Sequence, residues 1–220
     1  MHWQRRRSTG TSRWVILVLV PFLLLVSSPS LVDARKEKAT GIVFPEKTAG
    51  NPLFGVGVRT KGPIKVYGVG CYGPKGVQSK LSAFDSPKDK KAAQTLLEGV
   101  QKGPATFILK FNFKVNAEKV STSLTDAVSS RSNLSKDLNT LRTLLCDGVN
   151  THAGGVVKKG NSMTFNCSSK GIDVALDGKH LGTVPSGGLA KAFCAVFLDN
   201  KTVSPSLKQN CLDSCCGSNK

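Results

Sequence analysis

Residues 107–115 alternate with a period of two. Phe107, Leu109, Phe111, Phe113 and Val115 fall on one face, and Lys110, Asn112 and Lys114 on the other. That period marks a strand with one side against a core. Residues 161–168 and 172–177 alternate in the same way, and an Asp177-Gly178 turn leads into a further strand over 179–184. Helical spacing governs the stretches between. Ser86 can cap a helix with Pro87 in its first position and Leu96, Leu97 and Val100 on its apolar face, ending at Lys102-Gly103-Pro104. Asn116 caps the next, with Glu118 favourable in its first turn. A third starts at Ser135, with Leu134, Leu138, Leu141 and Leu145 recurring at helical spacing before Gly148 stops it. Two more follow, one over 188–198 and one with Ser204 as cap and Pro205 in first position. Hairpins imply antiparallel pairing, so the class is α+β. Residues 35–52 read as an extended lead-in, broken by Pro45, Gly50 and Pro52.

The longest apolar run lies before all of this. Residues 14–26 follow Arg5, Arg6, Arg7 and Arg13 and precede Val32-Asp33-Ala34, which is the order of a secretory signal cleaved after Ala34. Its 13 residues fall short of the about 20 that a spanning helix needs. An uncleaved signal anchor is the alternative. The chain thus divides into a signal peptide (1–34), the lead-in (35–52), a domain (53–212) and a Cys-containing tail (213–220). Its destination is the secretory pathway, either secretion or an organelle lumen. Cleavage leaves 186 of 220 residues, a single-domain length. All seven cysteines lie in that part, so at least one disulfide is expected, with connectivity open. Sequons at Asn133, Asn166 and Asn200 fit the same route. No C-x-x-C occurs and His152 and His180 are the remaining histidines. Neither a metal site nor a cofactor is predicted.

Charge changes the picture less than its size suggests. The chain carries +17, and losing four basic and one acidic residue with the signal leaves +14. The lysines are spread, dense only at 88–91 and 158–159, without a basic stripe interleaved with aromatics. Nucleic acid is therefore not predicted as a partner. An anionic membrane surface remains a candidate.

Candidate chemistry sits in the hairpin of residues 55–72, where Arg59 interrupts an apolar strand. No Asp or Glu occurs between Glu46 and Asp85 to pair with it. A buried guanidinium without an anion costs several kcal/mol. A three-residue loop, Lys61-Gly62-Pro63, would pair Thr60 with Ile64, Arg59 with Lys65 and Gly57 with Tyr67. That register places Arg59, Lys65, Tyr67, Val69 and Cys71 on one face, with Arg59 and Tyr67 diagonal. A guanidinium, a phenol and an ammonium without a carboxylate make an anion-binding group. Arg59 snorkelling at a sheet edge is the bland alternative.

The hairpin sequences G55-V-G-V-R-T-K and I64-K-V-Y-G-V-G-C-Y resemble the chalcone isomerase-like family. So do F107-I-L-K-F-N-F-K-V-N-A-E-K-V, N161-S-M-T-F, D177-G-K-H-L-G-T-V-P-S and A195-V-F-L-D-N-K-T-V-S-P-S-L. The similarity covers residues 40–212 and is greatest to the stand-alone secreted branch. It implies a large antiparallel sheet packed against a helical layer, with an apolar cleft between them. In the plant isomerases that cleft promotes ring closure of a flavonoid precursor. In the fatty-acid-binding relatives the hairpin arginine and a tyrosine on the next strand hold the carboxylate. Arg59 and Tyr67 match that pair. The isomerases' reactive tyrosine, asparagine and later threonine fall at Asn116, Ser123 and Val196. Val196 and Phe197 become candidate lining residues, as does Val69, with helix-face core the alternative for Val196 and Phe197.

The resemblance thus favours non-catalytic binding of a fatty acid or similar small amphipathic carboxylate, with no catalytic residues assigned. The alternatives are an intramolecular lyase of the chalcone isomerase type, and a basic secreted protein that binds anionic surfaces without using the cleft.

Overall fold

The described residues are 1–2 and 33–217 of a computed structural model. The chain divides into two compact units, Met1–Leu31 and Val32–Lys220. The predicted signal peptide lies almost wholly outside the described residues, and every element named below belongs to the second unit.

Seven antiparallel strands form its sheet. In chain order they are β3 (Lys47–Thr48), β4 (Asn51–Lys61), β5 (Ile64–Tyr72), β6 (Ala105–Phe111), β9 (Ser162–Ser168), β10 (Gly171–Leu176) and β11 (Lys179–Val184), paired in the order β11-β10-β9-β6-β5-β4-β3. Two short pairs flank it: β1 (Ala34–Lys36) with β2 (Val43–Pro45), and β7 (Val115–Asn116) with β8 (Val156–Val157). The helices are α1 (Lys75–Leu81), α2 (Lys90–Lys102), α3 (Ala117–Ser129), α4 (Ser135–Ala153), α5 (Gly187–Leu198) and α6 (Pro205–Cys215). The predicted α+β architecture is the one observed.

The register sorts the inner face into rows. Gly55, Cys71, Phe107, Phe165 and Val174 form one row across five strands. Gly57, Val69, Leu109, Met163 and Leu176 form the next, and Arg59, Tyr67 and Phe111 the last. Helix α5 lies across the first rows and is apolar nearly all round. Phe193 and Phe197 pack on Phe107 and Phe165, with ring centroids 4.5–5.9 Å apart. Such contacts bury about 150–250 Å² per aromatic side chain.

Local choices differ from the sequence reading in several places. Helix α2 starts at Lys90 because Asp89, not Ser86, is its cap; Asp89 accepts from the Lys91 N–H while Ser86 closes a turn with Lys88 and Asp89. Helix α4 runs through Gly148, which lies against Leu181, and stops at Gly154 with a left-handed φ of 60°. The strand of residues 107–115 ends at Phe111. Beyond it the chain turns to pair Val115 with Val157, which leaves Phe113 45% exposed. Helix α1 has no counterpart in the sequence pattern, since only Val77 and Leu81 are buried on it.

The lead-in is integral to the fold. Phe44 covers Gly68 and Gly70 on the outer face, the Tyr72 hydroxyl donates to Pro45 O at 3.0 Å, and Arg35 grips both oxygens of Glu46. A boundary at residue 53 has no counterpart, since β4 starts at Asn51. The tail is likewise helical to Cys215. The structure does not show the expected disulfide: no two cysteine sulfurs stand at bonding distance. Five of the seven cysteines are packed as small apolar groups in the main core, with Cys216 at its margin. The hydrogen bond to Cys211, then burial, pushes the Cys71 thiol well up, and the bond to Cys194, then burial, does the same for Cys167.

Candidate functional site

Strand β4 reads Gly55-Val-Gly57-Val-Arg59, and the spacing explains why a cavity opens where it does. Helix α6 crosses β4 directly over the two glycines. A Cβ on Gly57 would lie 2.3 Å from Leu207 N, and one on Gly55 2.5 Å from Cys211 N. Polar side chains of α6 and of its cap residue Ser204 also satisfy the backbone of β4 on the side away from β5. Val56 N donates to Asn210 Oδ1 at 2.8 Å, Val58 N to Ser206 Oγ at 3.0 Å, and Ser204 Oγ to Val58 O at 2.8 Å. The first two rows are thereby closed. Arg59 emerges just past the first turn of α6, in the row the helix does not cover.

The turn of this hairpin differs from the expected one and improves the site. Two residues, Gly62 and Pro63, form the loop, with Lys61 paired to Ile64. Gly62 takes a φ of 57°, so Pro63 occupies the position of a type II′ loop where a negative φ is required. A register shift between Arg59 and Thr60 then leaves Val66 of β5 without a partner on β4, and Arg59 comes directly opposite Tyr67. Gly57 faces Val69, not Tyr67. Lys65, paired with Thr60, is turned out of the group: its Nζ donates to Ala39 O at 2.7 Å. The expected Arg59–Lys65 pairing is therefore corrected.

Between this row and α3 lies a cavity of about 420 Å³. Arg59 and Tyr67 line it together with Val66, Phe111, Val120, Leu124, Ala127, Val196 and Val203; Lys61, Ile64, Phe113, Val115, Lys119 and Ser123 complete it. Of the other sequence candidates, Val69 and Phe197 do not reach it. Val69 is in the closed row and fully buried, and Phe197 stacks on Phe107 at 5.0 Å. The residues that sequence reasoning missed come chiefly from α3 and from Val66. The apolar face of α3 was a signal for the former, but the register shift hides the latter.

Electrostatics at the closed end are one-sided. The Arg59 guanidinium donates to Val203 O at 3.1 Å and meets no carboxylate among the described residues. Four of its five N–H groups have no protein acceptor there. Tyr67 is 7% exposed and stands edge-on to Phe111 at 5.9 Å. Its hydroxyl has no hydrogen-bond partner among the described residues. Burial pushes the phenol up and the Arg59 charge pulls it down by less, so Tyr67 stays a neutral donor across physiological pH. The wall behind Val203 is fixed by Arg131, which clamps Asp199 with two hydrogen bonds of 2.7 and 3.0 Å and also donates to Lys201 O.

Asn116 serves as the cap of α3, accepting from Lys119 N at 2.9 Å. Ser123 and Val196 line the cavity without a second phenol or an amide beside them. The chemistry available is thus an apolar chamber with a cation and a hydroxyl donor at one end.

Residues 46–213 match a family described as chalcone isomerase-like. Among solved structures the fold is similar to the crystal structure of a fatty-acid binding protein from Arabidopsis thaliana. The TM-score is 0.70 at 20% sequence identity, covering 83% of this chain and 97% of that one. No curated protein matches the sequence. A family match over most of the chain and a shared fold across nearly all of a solved relative agree: the chain belongs to the chalcone isomerase-like family.

Proposed function

We propose that this protein binds a fatty acid, or a similar amphipathic carboxylate, in the cavity under α3 and does not transform it. The observation that carries the reading is Arg59, with free donors, no carboxylate partner and Tyr67 directly opposite, at the end of an otherwise apolar chamber. A carboxylate there would receive charge-assisted hydrogen bonds from both groups. The hydrocarbon tail would lie against Val66, Phe111, Val120 and Leu124, each buried CH₂ contributing about 0.8 kcal/mol. The volume falls in the range of about 300–1,000 Å³ usual for small-ligand sites. The fatty-acid binding protein of similar fold supports the same ligand class. We place the activity in the secretory pathway on the order of charges and apolar residues in 1–34.

Calorimetry with a fatty acid and the alcohol of equal chain length tests this. The acid should bind at least about tenfold more tightly, since a hydrogen bond to a charged group contributes about 1.5–3 kcal/mol. Equal affinities would remove the role given to Arg59. Catalysis is expected to be absent. Cyclisation of a chalcone should run no faster with the protein than in buffer, because Asn116 is a helix cap and Val196 offers no polar atom. A protein-dependent rate abolished by Arg59→Ala would instead establish the lyase reading.

A further inference from the structure

Two large apolar side chains remain in water at the mouth of the cavity. Ile64, at the tip of the β4–β5 hairpin, is 40% exposed, and Phe113, between β6 and β7, is 45% exposed. They come from different segments, and the same cavity brings them together. Lysines surround them. Lys61 and Lys119 line the mouth, Lys114 adjoins Phe113, and Lys158 and Lys159 follow Val157, the partner of Val115. None of these ammonium groups forms an ion pair among the described residues. The acidic groups on the same segments are few. Glu118 precedes Lys119, Asp126 lies two turns along α3 and is paired to Arg142, and Asp177 holds Asn161 and Ser162.

An exposed aromatic and an aliphatic ringed by long cationic side chains match the depth profile of a bilayer interface. The apolar pair can enter the headgroup boundary while lysine stems lie along it and their charges meet anionic headgroups. A protein partner fits less well, since lysine is depleted at the centre of protein interfaces. We propose that the cavity mouth docks on an anionic phospholipid bilayer through Ile64, Phe113 and the lysines at positions 61, 114 and 119. Docking stands on this surface alone. Its use, passage of an amphipathic ligand between bilayer and cavity without crossing water, rests on the proposed function.

Vesicle co-sedimentation tests docking, with phosphatidylcholine vesicles made with and without phosphatidylserine. It is run on the full chain and on the compact unit Val32–Lys220, which takes apolar residues 14–26 out of the comparison. Wild-type protein should bind the phosphatidylserine vesicles. Lys114→Ala should weaken binding about fivefold, the effect of about one lysine at an anionic surface. Combined Ile64→Ser and Phe113→Ser should weaken it further, whereas Lys90→Ala with Lys91→Ala on α2 should change it little. Phe113→Trp supplies a positive readout, because the unit Val32–Lys220 has no other tryptophan. Its emission should move to the blue on adding anionic vesicles. Equal losses from the α2 and mouth lysines, or no shift in emission, would overturn docking. A wild type that binds fatty acid in vesicle-free buffer but not anionic vesicles would overturn docking and leave the ligand reading standing.

Discussion

Arg59→Ala should lower the affinity for a fatty acid by roughly 100-fold, about 3 kcal/mol, while leaving the affinity for the matching alcohol almost unchanged. The substitution removes both the counter-charge and the donors that face Tyr67. A carboxylate in the same apolar chamber would then keep its charge with one phenol to serve it. Tyr67→Phe should cost less, about tenfold, since the guanidinium remains. Arg59→Lys should not restore the wild-type value, because an ammonium lacks the planar fork that matches a carboxylate. The Val203 carbonyl loses its Arg59 partner in Arg59→Ala, so thermal unfolding must be followed in parallel. A loss of about 1 kcal/mol in stability is consistent with that single bond. Parallel losses for acid and alcohol would show that the arginine only shapes the cavity.

The second large effect falls on stability. Gly57→Ala should destabilise the fold by about 3 kcal/mol or more, although it adds one methyl group. That methyl would meet the backbone of Leu207 at 2.3–2.5 Å, and a helix backbone cannot yield as a side-chain tip can. For α6 to withdraw, its three hydrogen bonds to β4 must stretch together. Gly76→Ala in α1 is the control. Its Cβ meets nothing within 4 Å, and alanine there should be neutral or slightly stabilising. Urea unfolding of the two variants checks the contrast, and equal midpoints would show that α6 does not bear on Gly57.

The meeting of Arg59 and Tyr67 is legible in the sequence, though for a partly mistaken reason. The expected three-residue loop puts them diagonal, whereas a two-residue loop and a bulge put them opposite. Both arrangements keep them on one face, because the bulge on β5 offsets the shorter loop. Lys65 gains nothing from that offset and goes to Ala39. Gly57 suggests space above the sheet, and that space is filled by a helix more than a hundred residues away in sequence. Such a close approach leaves no periodic trace: glycine at a strand position says that something is near, not what. Val69 and Phe197 fail as lining residues for the same reason. Their side chains point the right way, but α6 and α5 decide which row stays open. The strand and helix types follow from periodicity, while boundaries move wherever two caps compete, as at Ser86 and Asp89.

The clasp of α6 on β4 has a consequence for how the chamber can be entered. A long strand with bare N–H and C=O groups invites strand addition by a second chain and then aggregation. Asn210, Ser206 and Ser204 occupy those groups at Val56 and Val58. Lifting α6 to admit a ligand would uncover them, so each round of loading would put a sticky edge in water. The hairpin tip carries no such hazard. Entry at that end would leave α6 in place and the β4 groups at Val56 and Val58 occupied.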